Sequence, residues 1–338
     1  MRDGSTENGR SHRPTRAASE LASNLASNLA GDSASRAGDR SSGRRLGGAL
    51  GRLRRAVVAR AAGVIGLLAL LLLSGCSIRK IFYNYGSTLL MRRINDTFAL
   101  RGAQKQTAET LVRGIHGWHR KSELPRYVQI LDGLMARAQD GLTQEELTWV
   151  LGEVDGATKR VAERVAPDAA RMLRTLTPDQ IQHAEGAMHK GEQERFERLE
   201  RPENEYVAFR LKRARKTLTD WLGSYTEGQL QEFERFIRKN RPEEQKRLKV
   251  VQENQRVLID ALRKNTDEAV LRELVYRWFS TRQVNPTPEY QKDEEQNWQE
   301  FTAMLVAVDR QMTPQQRQHL LDELRSLRKD LAELAAQN

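Results

Sequence analysis

One recurring pattern constrains the fold more than any other. Thr-x-x-Glu/Gln occurs at Thr143 and Glu146, Thr177 and Gln180, Thr226 and Gln229, and Thr313 and Gln316. In a capping box the threonine oxygen accepts the backbone N–H three residues on. The Glu or Gln side chain then reaches back to the threonine N–H. Pro178 and Pro314 follow their threonines directly, at the helical position where a missing N–H costs nothing. Thr287-Pro288 and Asn240-Arg241-Pro242 read as further helix starts. Leu142, Leu176, Tyr225 and Met312 precede the four threonines and suit hydrophobic staples onto the first turn.

Behind these starts the apolar residues step by three and four. Val207, Leu211, Ala214, Leu218 and Trp221 form one seam, and Leu248, Val251, Leu258 and Leu262 another. Trp298, Phe301, Leu305 and Val308 form a third, and Leu320, Leu324, Leu327, Leu331 and Leu334 a fourth. Each seam is narrow and flanked by charge, as in long antiparallel packing. The expected fold is therefore all-α. It is an elongated bundle of antiparallel helical hairpins over residues 76–338, with a candidate sub-boundary in STRQVNPTP at 280–288 joining a final helical pair to the rest.

The chain ahead of residue 76 has a different character. Residues 1–51 are mostly Ser, Ala, Arg, Gly and Asn, with the short repeat LASN-LASN. Such a segment buries too little to offset its ordering entropy, and the expectation is disorder. It reads as an N-terminal extension from a misassigned start. Residues 52–75 then hold Arg52, Arg54, Arg55 and Arg60 ahead of the apolar run VIGLLALLLL at 64–73. Ten helical residues cover about 15 Å, half of a bilayer core of about 30 Å. That length fits a signal-peptide core, not a membrane span. The formal charge of +11 is uneven, since residues 1–75 supply +7 and the rest only +4. Basicity at that level is not a nucleic-acid signature, and no nucleic-acid partner is expected.

Cys76 is the sole cysteine, which excludes an intrachain disulfide framework. It closes Leu73-Ser74-Gly75-Cys76, which resembles the lipobox of bacterial lipoproteins. The resemblance implies a diacylglyceryl group on the Cys76 thiol and cleavage between Gly75 and Cys76. The thiol is the nucleophile such a thioether requires, and two or three acyl chains anchor where one is marginal. Ser77 resembles the residue of the outer-membrane-destined class. The implied location is the periplasmic face of the outer membrane, with the membrane itself as a partner through the anchor.

No sequence motif marks a catalytic centre. The chain lacks a phosphate-binding Gly-rich loop, a nucleophile elbow and His-Glu-x-x-His. His116 and His119 share GIHGWHRK, but no third ligand has supporting spacing. Trp118 is the expected core residue, with the two histidines as surface or groove groups. His183, His189 and His319 are isolated. The run RLKRARK at 210–216 reads as a solvated helix face whose charges are met by neighbours. No cofactor and no metal is expected.

Two resemblances bear on function. CSIRKIFYNYGSTLLMRRINDTFAL at 76–100 and GWHRKSELPRYVQIL at 117–131 resemble an uncharacterised family of proteobacterial lipoproteins, which implies no known activity. LTPDQ at 176–180 resembles the LTxxQ motif of the periplasmic Spy/CpxP stress proteins, and MTPQQ at 312–316 is close to it. Those are helical, ATP-independent chaperone-like or inhibitory proteins, so the likeness implies a chaperone-like role. The expected function is a lipid-anchored, non-enzymatic envelope protein that binds an envelope protein partner and is chaperone-like or stress-related. The alternative is a structural or assembly factor of an envelope complex.

Overall fold

The computed structural model describes the backbone of residues 76–281 and 287–337, and side chains from Arg79 onward. The expected disordered segment, the signal peptide and Gly75 lie outside the described residues, as do the Cys76 side chain and most of the 280–288 segment.

The described chain is all-α. In order it forms α1 (Cys76–Asn84), α2 (Gly86–Phe98), α3 (Gly102–Trp118), a π-helical turn (His119–Glu123), α4 (Leu124–Arg137) and α5 (Gln144–Leu173). It continues with α6 (Pro178–Leu199), α7 (Glu203–Leu222), α8 (Glu227–Arg263), α9 (Glu268–Ser280), α10 (Pro288–Arg310) and α11 (Pro314–Ala336). Four of these helices begin at the four boxes. Thr143, Thr177, Thr226 and Thr313 each accept the N3 N–H, and Glu146, Gln180, Gln229 and Gln316 each return to the threonine N–H. Thr287 caps α10 by accepting from the Tyr290 N–H. At the other end of α8, Asn265 takes φ 47°. That left-handed turn lets the Thr266 N–H bond the Ala261 carbonyl at 3.1 Å, as in a Schellman motif.

One expected start is absent. Asn240-Arg241-Pro242 lies inside α8, which runs unbroken for 37 residues, about 55 Å. An interior proline costs about 3 kcal/mol. Burial on both sides of it outweighs that cost, with Phe233, Phe236 and Ile237 before and Leu248 after. Pro167 is carried inside α5 in the same way, between the buried Ala166 and Ala170.

Only part of the helix pairing follows chain order. α2 packs on α3 and α7 on α8, but α5 packs along α9, α4 along α11, and α8 against both α6 and α10. The last two helices separate. α10 lies on α8 and α5, whereas α11 lies on α4, α7 and α1.

Three apolar clusters result. One joins α7, α8 and α10 around Phe233, Phe236, Trp298 and Phe301. A second joins α5, α6, α9 and the end of α8 around Leu173, Ile181, Leu262 and Leu271. The third joins α1, α4 and α11 around Tyr83, Leu124, Leu327 and Leu334. The long α8 contributes to two of them, so it ties the molecule together.

Candidate functional site

The amino-terminal helix is held to the far end of the chain. Arg79, 2 % exposed, bonds Asp330 Oδ2 at 3.2 Å and Glu323 Oε2 at 2.6 Å. Lys80 Nζ reaches Glu333 at 2.5 Å. All three acids lie on α11. Removing one partner of a buried pair leaves an uncompensated charge, which is strongly destabilising. α1 therefore cannot leave α11 cheaply.

One turn further on, Tyr83 enters a stacked polar cluster. Its hydroxyl lies 3.0 Å from His119 Nδ1. The Tyr127 hydroxyl lies 3.3 Å from His119 Nε2. His116 Nε2 meets the Tyr83 carbonyl at 3.0 Å, and Arg120 stands over the Tyr83 ring. A neutral imidazole donates from one nitrogen and accepts at the other, so two hydroxyls satisfy it fully. Burial, aided by His116, pushes His119 down to about 4. Burial pushes the Tyr83 hydroxyl up to about 12. Both groups are neutral at neutral pH.

The sequence reading puts Trp118 in the core and His119 at a surface or groove position, and the structure reverses this. Trp118 is half-buried and His119 is buried. The cause is the register of α3, whose inward face steps at helical spacing from the buried Ala108 and Val112 through the half-buried His116 to His119 and leaves Trp118 beside it. A π-helical turn then runs from His119 to Glu123, and its extra residue per turn shifts the side chains that follow it. The same turn buries Glu123, which takes Arg160 of α5 in a two-pronged ion pair at 2.8–3.2 Å. With both ring nitrogens of His119 occupied by tyrosines, the pair His116 and His119 is a hydrogen-bonding cluster. Among the described residues no group of three metal-ligating side chains converges.

The boxes form a second feature that their own sequences do not announce, because their glutamines pair. Gln229 Nε2 donates to Gln316 Oε1 at 3.2 Å, and Gln316 Nε2 to Gln229 Oε1 at 3.0 Å. Gln316 also donates to the Ser224 carbonyl at 3.0 Å. The starts of α8 and α11 are thereby locked together at residues 0 % and 2 % exposed.

Gln180 makes the same reciprocal pair with Gln104, at 2.8 and 3.1 Å. Each also reaches a carbonyl on its partner's side, Ala99 for Gln180 and Thr175 for Gln104. Gln104 lies outside the four Thr boxes. LRGAQ at 100–104 keeps the leading apolar residue and the final Gln of LTPDQ, with Arg101 where threonine stands. A search for the glutamine and the apolar residue alone would have found it.

One residue of the basic run is structural, while Lys212, Arg215 and Lys216 are exposed. Arg210 is buried, with Glu244 at 3.7 Å, and Arg247 bonds Glu294 at 2.8 Å. These pairs join α7, α8 and α10 by ionic contacts inside the apolar cluster. Lys216 pairs with Asp220 one turn on at 2.5 Å. Arg210 thus corrects the expectation of a wholly solvated face, since it turns inward. His183 bonds the Asp96 carbonyl at 3.1 Å, and His319 packs on Gly223, so neither joins the tyrosine cluster. An open groove of about 590 Å³ lies between the α4–α5 turn and the start of α11. Its Arg317 is already held by Asp309 at 2.6 Å.

Fold and site together define an all-α protein whose buried polar groups lock helix ends, clamp α1 and join neighbouring helices. The chain belongs to a family of unknown function, DUF6279, whose model matches residues 96–291. The match takes in the Gln104–Gln180 pair and both histidines of the cluster and leaves out α1 and α11. No curated protein and no solved structure matches the chain.

Proposed function

We propose that this is a lipid-anchored bacterial envelope protein with a non-enzymatic binding role, held at the periplasmic face of the outer membrane. The observation that carries the reading is the lipobox-like LSGC at 73–76, whose cysteine is the first residue of α1. Acyl chains on Cys76 would sit one turn from the Arg79 clamp, so the whole helical body would be coupled stiffly to the membrane. Within this reading the structural or assembly role is favoured. Its support is the rigid frame of α5 and α8, pinned by buried ion pairs and amide pairs. The likeness to the LTxxQ stress proteins supports a chaperone-like version. In this chain, however, Gln180 is occupied by the Thr177 N–H, Gln104 and the Ala99 carbonyl, which leaves the motif an internal task.

The test is lipidation and then partner capture. Wild-type protein should incorporate labelled palmitate and be cleaved before Cys76. Cys76→Ala should remain unprocessed, lose the label and leave the outer-membrane fraction. Equal labelling of the two proteins would sink the anchor. Crosslinking in intact cells should then return an envelope protein with the wild type and lose it with Cys76→Ala.

A further inference from the structure

Four of the six large apolar side chains exposed among the described residues lie within nine residues of one another: Ile81 at 55 %, Phe82 at 36 %, Tyr85 at 62 % and Leu89 at 42 %. The other two, Phe196 and Val270, stand singly on α6 and α9. The four form one face. α1 and α2 meet at Tyr85, yet the i to i+4 bonds continue through it, from the Tyr85 N–H to the Ile81 carbonyl and from the Leu89 N–H to the Tyr85 carbonyl, each 3.0 Å. Residues four apart therefore stay stacked. Arg92, also exposed, continues the row. The opposite face carries Arg79, Tyr83 and Gly86, all buried against the body.

We infer that this face lies in the headgroup region of the bilayer and fixes the orientation of the body on the membrane. The inference rests on the lipid anchor at Cys76. Its occupant is set by position. Ile81 is five residues from Cys76, about 7.5 Å along a helix, and the row to Leu89 adds about 12 Å. An interfacial helix buries its apolar side about 5–10 Å into the headgroup and acyl boundary. A protein partner on this face would have to sit within the lipid headgroups. Phe82 and Tyr85 are the residue types that favour that layer, and Arg92 is placed to meet lipid phosphate. α11 holds the other face through Arg79 and Lys80, so the helix does not rotate away.

The test uses the processed lipoprotein in vesicles of phosphatidylethanolamine and phosphatidylglycerol. Cys76 is the only cysteine, and lipidation consumes its thiol. Tyr85→Cys then offers a single site for an environment-sensitive fluorophore. Bound to vesicles, that probe should shift to the blue, brighten severalfold and be quenched by brominated lipid. A Phe196→Cys probe should do none of these. If the protein floats with the vesicles but the Tyr85 probe stays in water, the orientation is wrong and the anchor stands. A blue shift without bromolipid quenching means that protein, such as a second copy, covers the face, and it overturns the proposal. Wild type that takes the label at Cys76 and fails to float overturns the anchor reading and this one with it.

Discussion

The molecule holds two buried polar junctions that do similar mechanical work with different chemistry. Gln229 and Gln316 lock the starts of α8 and α11 with neutral amides. Tyr83, His119 and Tyr127 hold α1 against the π-helical turn and α4 through an imidazole. The amide lock has no titratable member. The imidazole lock works only while His119 is uncharged, because protonation would place a cation in a buried site close to His116. The amide lock is therefore expected to be indifferent to acid, and the imidazole lock at α1 to loosen with it. Polar interiors of equal burial need not respond equally to their surroundings.

The largest effect is expected from Gln316→Ala. It removes the return bond to the Thr313 N–H, takes from Gln229 its amide partner on α11, and leaves the Ser224 carbonyl without the Gln316 amide. Loss of the return bond and of a satisfied buried amide should together cost about 3 kcal/mol, read by urea unfolding. The cost should be the same at pH 7 and pH 5. A cost below about 1 kcal/mol would show that water replaces the pair.

The second effect is a pH slope. The folded-state value of His119, about 4, lies below the free-histidine value of about 6.5. The unfolded chain therefore binds more protons between those values, and folding is favoured as pH rises through them. This stability is fully present above pH 6.5 and is lost as pH falls towards 4. Between pH 7 and pH 5 the loss should be about 2 kcal/mol. His119→Gln keeps a donor and an acceptor for the two tyrosines without a titrating ring, and it should flatten that slope. An unchanged slope would move the origin of the acid sensitivity elsewhere.

The smallest effect is expected at the second amide pair. Gln104 is only half-buried, so water can serve Gln180 when Gln104→Ala removes its partner. The cost should be about 1 kcal/mol. Equal costs for Gln104→Ala and Gln316→Ala would show that burial does not distinguish the two pairs.

The helix starts were legible because a capping box is a local event. Thr177 and Gln180 meet across three residues, and nothing distant is needed to bring them together. The pairing of Gln180 with Gln104, and of Gln229 with Gln316, was not legible. The partners lie 76 and 87 positions apart, and only the packing of α6 near α3 and of α8 near α11 makes them neighbours. His119 was misplaced for a different reason: apolar bulk favours Trp118 for the core, whereas the inward face of α3 continues at helical spacing from Ala108 and Val112 through His116 to His119.

The sequence by itself determined the all-α class, the starts of α5, α6, α8, α10 and α11, and the lipobox-like stretch ending in Cys76, because each depends on residues within a few positions of one another. It also placed the seams, such as Leu324, Leu327 and Leu331, which follow helical spacing. Tertiary structure alone decided that Pro242 lies within one helix and that Arg210 turns inward to Glu244. It alone decided that α10 and α11 part company, and that Ile81, Tyr85 and Leu89 stay outside while Tyr83 goes in. Those outcomes depend on which distant surfaces meet. A local pattern states that a helix has an apolar side, and the competition among all such sides for a limited interior settles which of them is left to face something else.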